Sequence, residues 1–238
     1  MAGQRNAIVM CVLLAGCSAG AASPATMETH PATVPPTTDV IATSTTKPPL
    51  PSTTSTTTPR PLLYVFPFIG KKVSYGHRHS GYPATDVFGC GATVVAPIGG
   101  TINEIRTTDP WDPKVNDPAT RGGKYVSLHG DDGVRYYFAH LDSVKVRPGD
   151  VVEAGAQLGI MGQTGDARNT VCHTHVGISW PCPNKEWAVR RGEIWPWKYL
   201  DAWRKGQQLS PVDEVAEAKT KSPDACNLAA LASSAGDA

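Results

Sequence analysis

Five polar side chains in three short segments could together hold a metal ion and move protons. Two of them lie in Cys172-His173-Thr174-His175-Val176-Gly177-Ile178, which is typical of a β-strand. Because side chains alternate between the two faces of a strand, His173 and His175 point the same way and Cys172 points the other way. Two neutral imidazoles on one face can therefore serve a single metal site.

The remaining members of this group lie in two earlier segments. His140 lies near the C-terminal end of the apolar segment Tyr136 to Leu141. His79 and Asp86 flank a turn that contains glycine and proline. Zinc accepts histidine nitrogen and aspartate oxygen, and a catalytic zinc site keeps three protein ligands and a water molecule. Two further histidines are then available for proton transfer and for stabilising an oxyanion. The constellation predicts a zinc hydrolase.

Short strands and glycine turns must position these residues. Tyr125 to His129 alternates in polarity, Gly130-Asp131-Asp132-Gly133 is a strong turn signal, and Val134 to His140 returns as a second strand, which together predict a β-hairpin. No apolar period of 3.6 residues is sustained before residue 185, and one short helix is expected within 197–207. The sequence predicts a small antiparallel β-sheet or sandwich over 63–207, followed by a weakly ordered tail, 208–238.

The first 62 residues are predicted to contain an export signal and a spacer. Residues 1–16 are typical of a signal peptide, since their apolar run is too short to span a bilayer. Leu14-Ala15-Gly16-Cys17 resembles the lipobox of bacterial lipoproteins, which implies cleavage before Cys17 and lipidation of its thiol. In 18–62, Thr, Pro and Ser supply 27 of 45 residues, so 17–62 is expected to be a disordered tether. We expect a lipid-anchored protein outside the cytoplasm, facing the cell wall.

The net charge argues against nucleic-acid binding, and the cysteine content predicts disulfides. The 238 residues carry a formal net charge of +1, which gives no electrostatic case for nucleic-acid binding. Four cysteines remain after maturation, and an even number in an exported domain suggests disulfides. Cys172 and Cys182 enclose a short loop and are the expected pair. Cys90 with Cys226 then follows by elimination.

Three motifs in order carry a resemblance to a known family. His79 to Asp86, Tyr137-Phe138-Ala139-His140-Leu141 and His173-Thr174-His175 resemble the lysostaphin/LytM-type zinc endopeptidases. The supporting segments Val95-Ala96-Pro97, Pro148 to Gly155 and Met161 to Gly165 are also similar, and the resemblance covers roughly residues 73 to 200. It implies a small antiparallel β fold of the LytM-like type with a groove, and hydrolysis of peptide bonds in peptidoglycan.

The resemblance also implies roles for single residues. His79, Asp86 and His175 would bind Zn²⁺, and His140 with His173 would be the catalytic pair, one as general base and the other stabilising the oxyanion. Which histidine does which stays open. The chain departs from the common spacing of the family, because His79 and Asp86 are seven residues apart rather than four. His77 is therefore a competitor for the first ligand position.

Two further functions compete with that of a zinc endopeptidase acting on peptidoglycan cross-links. A catalytically inactive LytM-like regulator that binds cell wall and activates other hydrolases is the alternative, although such domains lack ligands and this chain has all five residues. A biotinyl- or lipoyl-like carrier needs an exposed lysine, and 151–180 contains none. The sequence leaves the scissile bond open, and a monomer is the expected oligomeric state.

Overall fold

Short strands joined by tight turns form most of the fold. The computed structural model describes residues 62–183 and 186–234, all of which fall within the unit Thr57–Ala238. The strands in this part are β1 (Phe68–Ile69), β2 (Ser74–Tyr75), β3 (Thr85–Phe88), β4 (Thr93–Val95), β5 (Gly100–Arg106), β6 (Tyr125–Gly130), β7 (Arg135–Ala139), β8 (Leu141–Val144), β9 (Val151–Val152), β10 (Gln157–Met161) and β11 (His173–Ser179). The helices are α1 (Trp197–Arg204), α2 (Val212–Lys221) and α3 (Ala225–Ser234), with a short 3-10 turn at Gly165–Ala167.

The strands form two antiparallel sheets, so the predicted all-β fold is confirmed. One sheet has the order β1-β4-β10-β8, and the other has the order β2-β3-β11-β7-β6-β5-β9. The predicted hairpin joins β6 and β7: Gly130 N donates to Val134 O at 2.8 Å, and Gly133 has a φ of 79°. That positive φ favours glycine at the turn.

The two faces of the larger sheet have different tasks. Val176 and Ile178 of β11 are buried in the hydrophobic core beside Phe138 of β7. His173 and His175 alternate with these residues and therefore occupy the opposite face. Burial of the apolar face fixes the register of β11, because a slip by one residue would turn both histidines into the core.

The C-terminal region corrects the predicted tail. The helix expected within 197–207 is present as α1, but residues 212–221 and 225–234 form two more helices. Val215 and Ala229 are buried in the core, and Tyr199 of α1 donates a hydrogen bond to Glu214 of α2 at 2.5 Å. So few buried apolar residues give no clear helical period, which is why the sequence suggested weak order.

The predicted disulfide between Cys172 and Cys182 is wrong. The structure pairs Cys90 with Cys172 at a Cα–Cα distance of 5.0 Å, and Cys182 with Cys226 at 5.5 Å. Cys172 and Cys182 lie beyond opposite ends of β11, whose seven residues span about 20 Å at roughly 3.3 Å each. A disulfide cannot cover that distance. Because β3 and β11 are paired, Cys90 and Cys172 lie side by side.

No helix within 62–183 or 186–234 is long and apolar enough to cross a membrane. The predicted signal peptide, the lipidation site Cys17 and all but the last residue of the predicted tether lie outside the described residues.

Candidate active site

Three neighbouring strands bring the predicted site residues to one end of the larger sheet. On β11, His175 is paired with Asp86 of β3 on one side and with Ala139 of β7 on the other. His140 follows β7 directly and has a φ of 61°, a left-handed conformation that turns the chain away from the strand direction. The sheet register therefore fixes Asp86 and His175, and the end of β7 fixes His140.

His79, Asp86 and His175 form a group that could hold a metal ion. One ligand atom from each residue lies within 4.8 Å of the others. His79 Nε2 is 3.9 Å from Asp86 Oδ2, and His175 Nδ1 is 3.1 Å from Asp86 Oδ1. The structure thus brings together the three residues that the family resemblance implied as ligands.

The second nitrogen of each ligand histidine faces a backbone carbonyl. His79 Nδ1 donates to Tyr82 O at 3.1 Å, and His175 Nε2 donates to Arg191 O at 2.8 Å. A carbonyl only accepts, so these nitrogens carry the protons and leave His79 Nε2 and His175 Nδ1 with lone pairs. Such bonds are typical around metal-binding histidines, where they fix the tautomer and the ring orientation.

The electrostatics of the group also fit a cation. His175 Nδ1 faces the Asp86 carboxylate at 3.1 Å, so a nitrogen lone pair and a negative charge point into the same space, an arrangement that a bound cation would stabilise. Burial and the nearby His175 lower the pKa of His79, which favours the neutral form that binds metal. The imidazole nitrogens of two histidines and the carboxylate oxygen of one aspartate are donors that the borderline-soft zinc ion accepts.

The residues between His79 and Asp86 form a turn that brings both side chains to one site despite their unusual spacing. Gly81 has a φ of 89°, and the chain turns there so that both ligands face the same space. The ring of Tyr82 lies 4.6 Å from that of His79 and 5.7 Å from that of His175, between centroids. The competitor His77 lies outside the group: its ring stacks on Trp197 at 4.2 Å and its Nε2 is 3.1 Å from Asp201 Oδ2.

His140 and His173 form a second pair next to this group. Their ring centroids are 4.9 Å apart, and the ring of His140 is 6.1 Å from that of His175. His140 Nδ1 donates to Thr164 O and His173 Nδ1 donates to Val171 O, each at 2.8 Å. Both histidines therefore keep Nε2 as the nitrogen that can exchange a proton at the site.

The two histidines of this pair differ in burial. His140 is 7% exposed, and burial, together with the neighbouring imidazoles, lowers its pKa to about 3. His173 is only partly buried at the start of β11. Asp166 Oδ1 lies 3.9 Å from His140 Nε2 and is the nearest carboxylate to that nitrogen among the ion pairs of the described residues.

Sequence reasoning missed several residues that support the site. Thr164 holds His140 through its carbonyl, and its hydroxyl donates to Leu141 O at 2.8 Å and accepts from Lys124 N at 3.0 Å. Thr164 lies in the Met161 to Gly165 segment quoted above, so a signal for it existed. No signal existed for Arg191 O, because every residue type supplies a carbonyl.

Comparison with known proteins finds a family of peptidases that is similar to part of this chain. Residues 80–189 match Peptidase family M23. No curated protein matches the chain.

Solved structures with a similar fold come from several bacteria. The catalytic domain of the antimicrobial peptidase lysostaphin from Staphylococcus simulans is 24% identical with a TM-score of 0.42, over 54% of this chain and 92% of that one. A candidate glycyl-glycine endopeptidase lytM from Ruminococcus gnavus ATCC 29149 is 23% identical with a TM-score of 0.47, over 61% and 62% of the two chains. A zinc-containing peptidase from Vibrio cholerae is 19% identical with a TM-score of 0.39, over 55% and 38%.

Proposed function

We propose that the protein is a zinc-dependent endopeptidase that hydrolyses peptide cross-links of peptidoglycan. The observation that carries the proposal is the group His79, Asp86 and His175 with the pair His140 and His173 beside it. The similarity of residues 80–189 to Peptidase family M23 supports a peptidase. These three residues would hold a zinc ion, which would supply a Lewis acid for the scissile carbonyl and a water molecule with a pKa of about 7.

The histidine pair performs the proton transfers of this mechanism. Each has its Nδ1 proton committed to a backbone carbonyl, so a proton from the attacking water is accepted at Nε2. The imidazole that has taken this proton becomes a donor at the same atom. It can then protonate the leaving amine. The other histidine can stabilise the oxyanion when its Nε2 carries a proton taken up from solvent, which it donates in a hydrogen bond.

The location of the activity is a further part of the proposal. The sequence Leu14-Ala15-Gly16-Cys17 supports a lipid anchor at Cys17, and the Thr/Pro-rich residues 18–62 support a tether that reaches into the cell wall. The enzyme would then act outside the cytoplasm, at the membrane, on peptidoglycan peptides.

The test is mass spectrometry of muropeptides after purified peptidoglycan has been incubated with the full chain. We expect cross-linked dimers to be converted to monomers, a requirement for about one zinc per chain, and loss of activity with a chelator. His175→Ala should be inactive, while His30→Ala, a histidine of the predicted tether, should match the wild type. If the zinc-loaded wild type binds peptidoglycan and leaves all cross-links intact, the alternative of a non-catalytic regulator replaces the enzyme.

A further inference from the structure

The side chain of Arg191 lies one aromatic ring away from the candidate metal group. Its guanidinium carbon is 4.0 Å from the centroid of the Tyr82 ring and 5.1 Å from that of Trp187. Tyr82 in turn contacts the rings of both His79 and His175. Arg191 therefore stands at the rim of the site, next to the ligands rather than among them.

This guanidinium has a charge that the described residues do not pair. Within 62–183 and 186–234, the arginines that form ion pairs are Arg135, Arg168 and Arg190. Burial raises the pKa of Glu193, and the charge of Arg191 acts to lower it, yet the two side chains do not form an ion pair. A guanidinium held on an aromatic face keeps its edge N–H donors available in the plane of the group.

The backbone that carries Arg191 is fixed on both sides. Glu186, which is buried, accepts hydrogen bonds from Val189 N at 2.8 Å and Arg190 N at 3.2 Å. Arg191 N donates to Trp187 O at 3.2 Å, and Arg191 O accepts from His175. The side chain thus starts from a rigid position, which reduces the entropy lost when it binds a ligand.

We infer that Arg191 binds a free carboxylate of the peptide substrate and makes the enzyme selective for peptides that carry one close to the scissile bond. The inference rests on the proposed endopeptidase function. A guanidinium binds a carboxylate through two parallel N–H···O bonds. These charge-assisted bonds are stronger than hydrogen bonds between neutral groups, and their fixed geometry makes them selective for a carboxylate. An extended peptide rises about 3.3 Å per residue, and the inference places the carboxylate one residue from the scissile bond, on one side of it.

The experiment uses synthetic peptides that differ in one group. In each pair, the carboxyl group one residue from the scissile bond is free in one peptide and a primary amide in the other, and one pair is made for each side of the bond. Binding to the zinc-free full chain is measured by fluorescence anisotropy, and kcat/KM is measured with the zinc-loaded chain. Arg191→Gln removes the charge, Arg191→Lys keeps it, and Arg147→Gln is the control at an exposed turn.

For one of the two pairs, the wild type should bind and cleave the carboxylate peptide about 10- to 100-fold better than the amide, as expected for a charged hydrogen bond. Arg191→Gln should abolish this preference, Arg191→Lys should keep part of it, and Arg147→Gln should keep all of it. Equal binding of both peptides in both pairs, or a preference that survives in Arg191→Gln, overturns the inference. Preferential binding without any cleavage by the zinc-loaded wild type supports the inference and rejects the proposed endopeptidase.

Discussion

The two ends of β7 and β11 carry polar side chains on the same face of the sheet, but in opposite environments. At one end, His175 is paired in register with Ala139 and directs an unshared nitrogen towards Asp86. At the other end, Ser179 is paired with Arg135, which donates to Ser179 Oγ at 3.0 Å and forms a buried ion pair with Glu186. The first end, which we call the ligand end, keeps capacity for a ligand at His175 and Asp86. The second end, which we call the anchoring end, has the charges of Arg135 and Glu186 paired inside the protein.

The segment 186–193 connects these two ends, and Gly177 lets it do so. The segment begins at Glu186 in the buried ion pair and delivers Arg191 O to His175 at 2.8 Å. It crosses the sheet over Gly177, where an added Cβ would lie 2.5 Å from Arg191 O. A second buried contact, Arg190 Nη1 to Glu104 Oε2 at 2.6 Å, fixes the segment from the side. The buried end therefore anchors the Arg191 carbonyl that accepts the hydrogen bond from His175 at the other end.

The largest effect is expected when a histidine of the ligand end is removed. His175→Ala deletes one of the three proposed metal ligands, and we expect zinc affinity to fall about 100- to 1,000-fold and the proposed peptidase activity to disappear. Zinc affinity is measured by competition with a chromogenic chelator, and stability by thermal unfolding of the zinc-free chain. Unchanged affinity would exclude His175 as a ligand.

The next largest effect is expected at the anchoring end. Glu186→Gln leaves the buried guanidinium of Arg135 without its charge partner, which should lower the free energy of unfolding by about 3–5 kcal/mol. The control is Glu217→Gln, whose exposed pairing with Lys221 should make no measurable contribution. Urea unfolding of both variants checks the prediction, and equal stabilities would contradict it.

A smaller effect should appear where the segment crosses the sheet. Gly177→Ala must push Arg190 and Arg191 away from the strand, which should cost about 2–3 kcal/mol of stability. Because the carbonyl then moves away from His175, zinc affinity should fall about 10- to 100-fold. Gly76→Ala is the matched control, since an added Cβ there would meet no atom within 4 Å. A destabilised variant with wild-type zinc affinity would falsify the link between the two ends.

The smallest effect is expected for a change that weakens the anchor without moving the segment. Ser179→Ala leaves the Arg135 Nε–H donor unpaired, which should cost about 1–2 kcal/mol. The ion pair between Arg135 and Glu186 remains, so zinc affinity should equal that of the wild type. A loss of zinc affinity here would mean that the two ends are coupled through β11 itself and not through the segment.

The residues of the ligand end could be predicted because they lie on strands with a regular pattern. Alternation along β11 places His173 and His175 on one face, and the apolar run of β7 places His140 at its end, so both statements follow from strand geometry. The spacing of the turn between His79 and Asp86 could be named as unusual, but only the structure shows how Gly81 closes it.

The anchoring end could not be predicted, because nothing local marks it. Arg135 and Glu186 are 51 positions apart, and a buried ion pair has no periodic signal in the sequence. The same limit applies to the cysteines, where a short loop suggested Cys172 with Cys182 although the length of β11 keeps them apart. Long-range pairing depends on which strands are neighbours, and that order is a property of the fold.

The hydrogen bond from His175 to the backbone carbonyl of Arg191 affects which substitutions position 191 can tolerate in evolution. Position 191 supplies the metal ligand with an acceptor through its main chain, which every amino acid shares, and it contacts the rim of the site through its side chain. If the proposed function and the inferred role of Arg191 hold, substitutions there would alter the preferred peptide while the orientation of His175 is retained. Gly177 beneath it admits no such variety, because an added Cβ would lie 2.5 Å from Arg191 O.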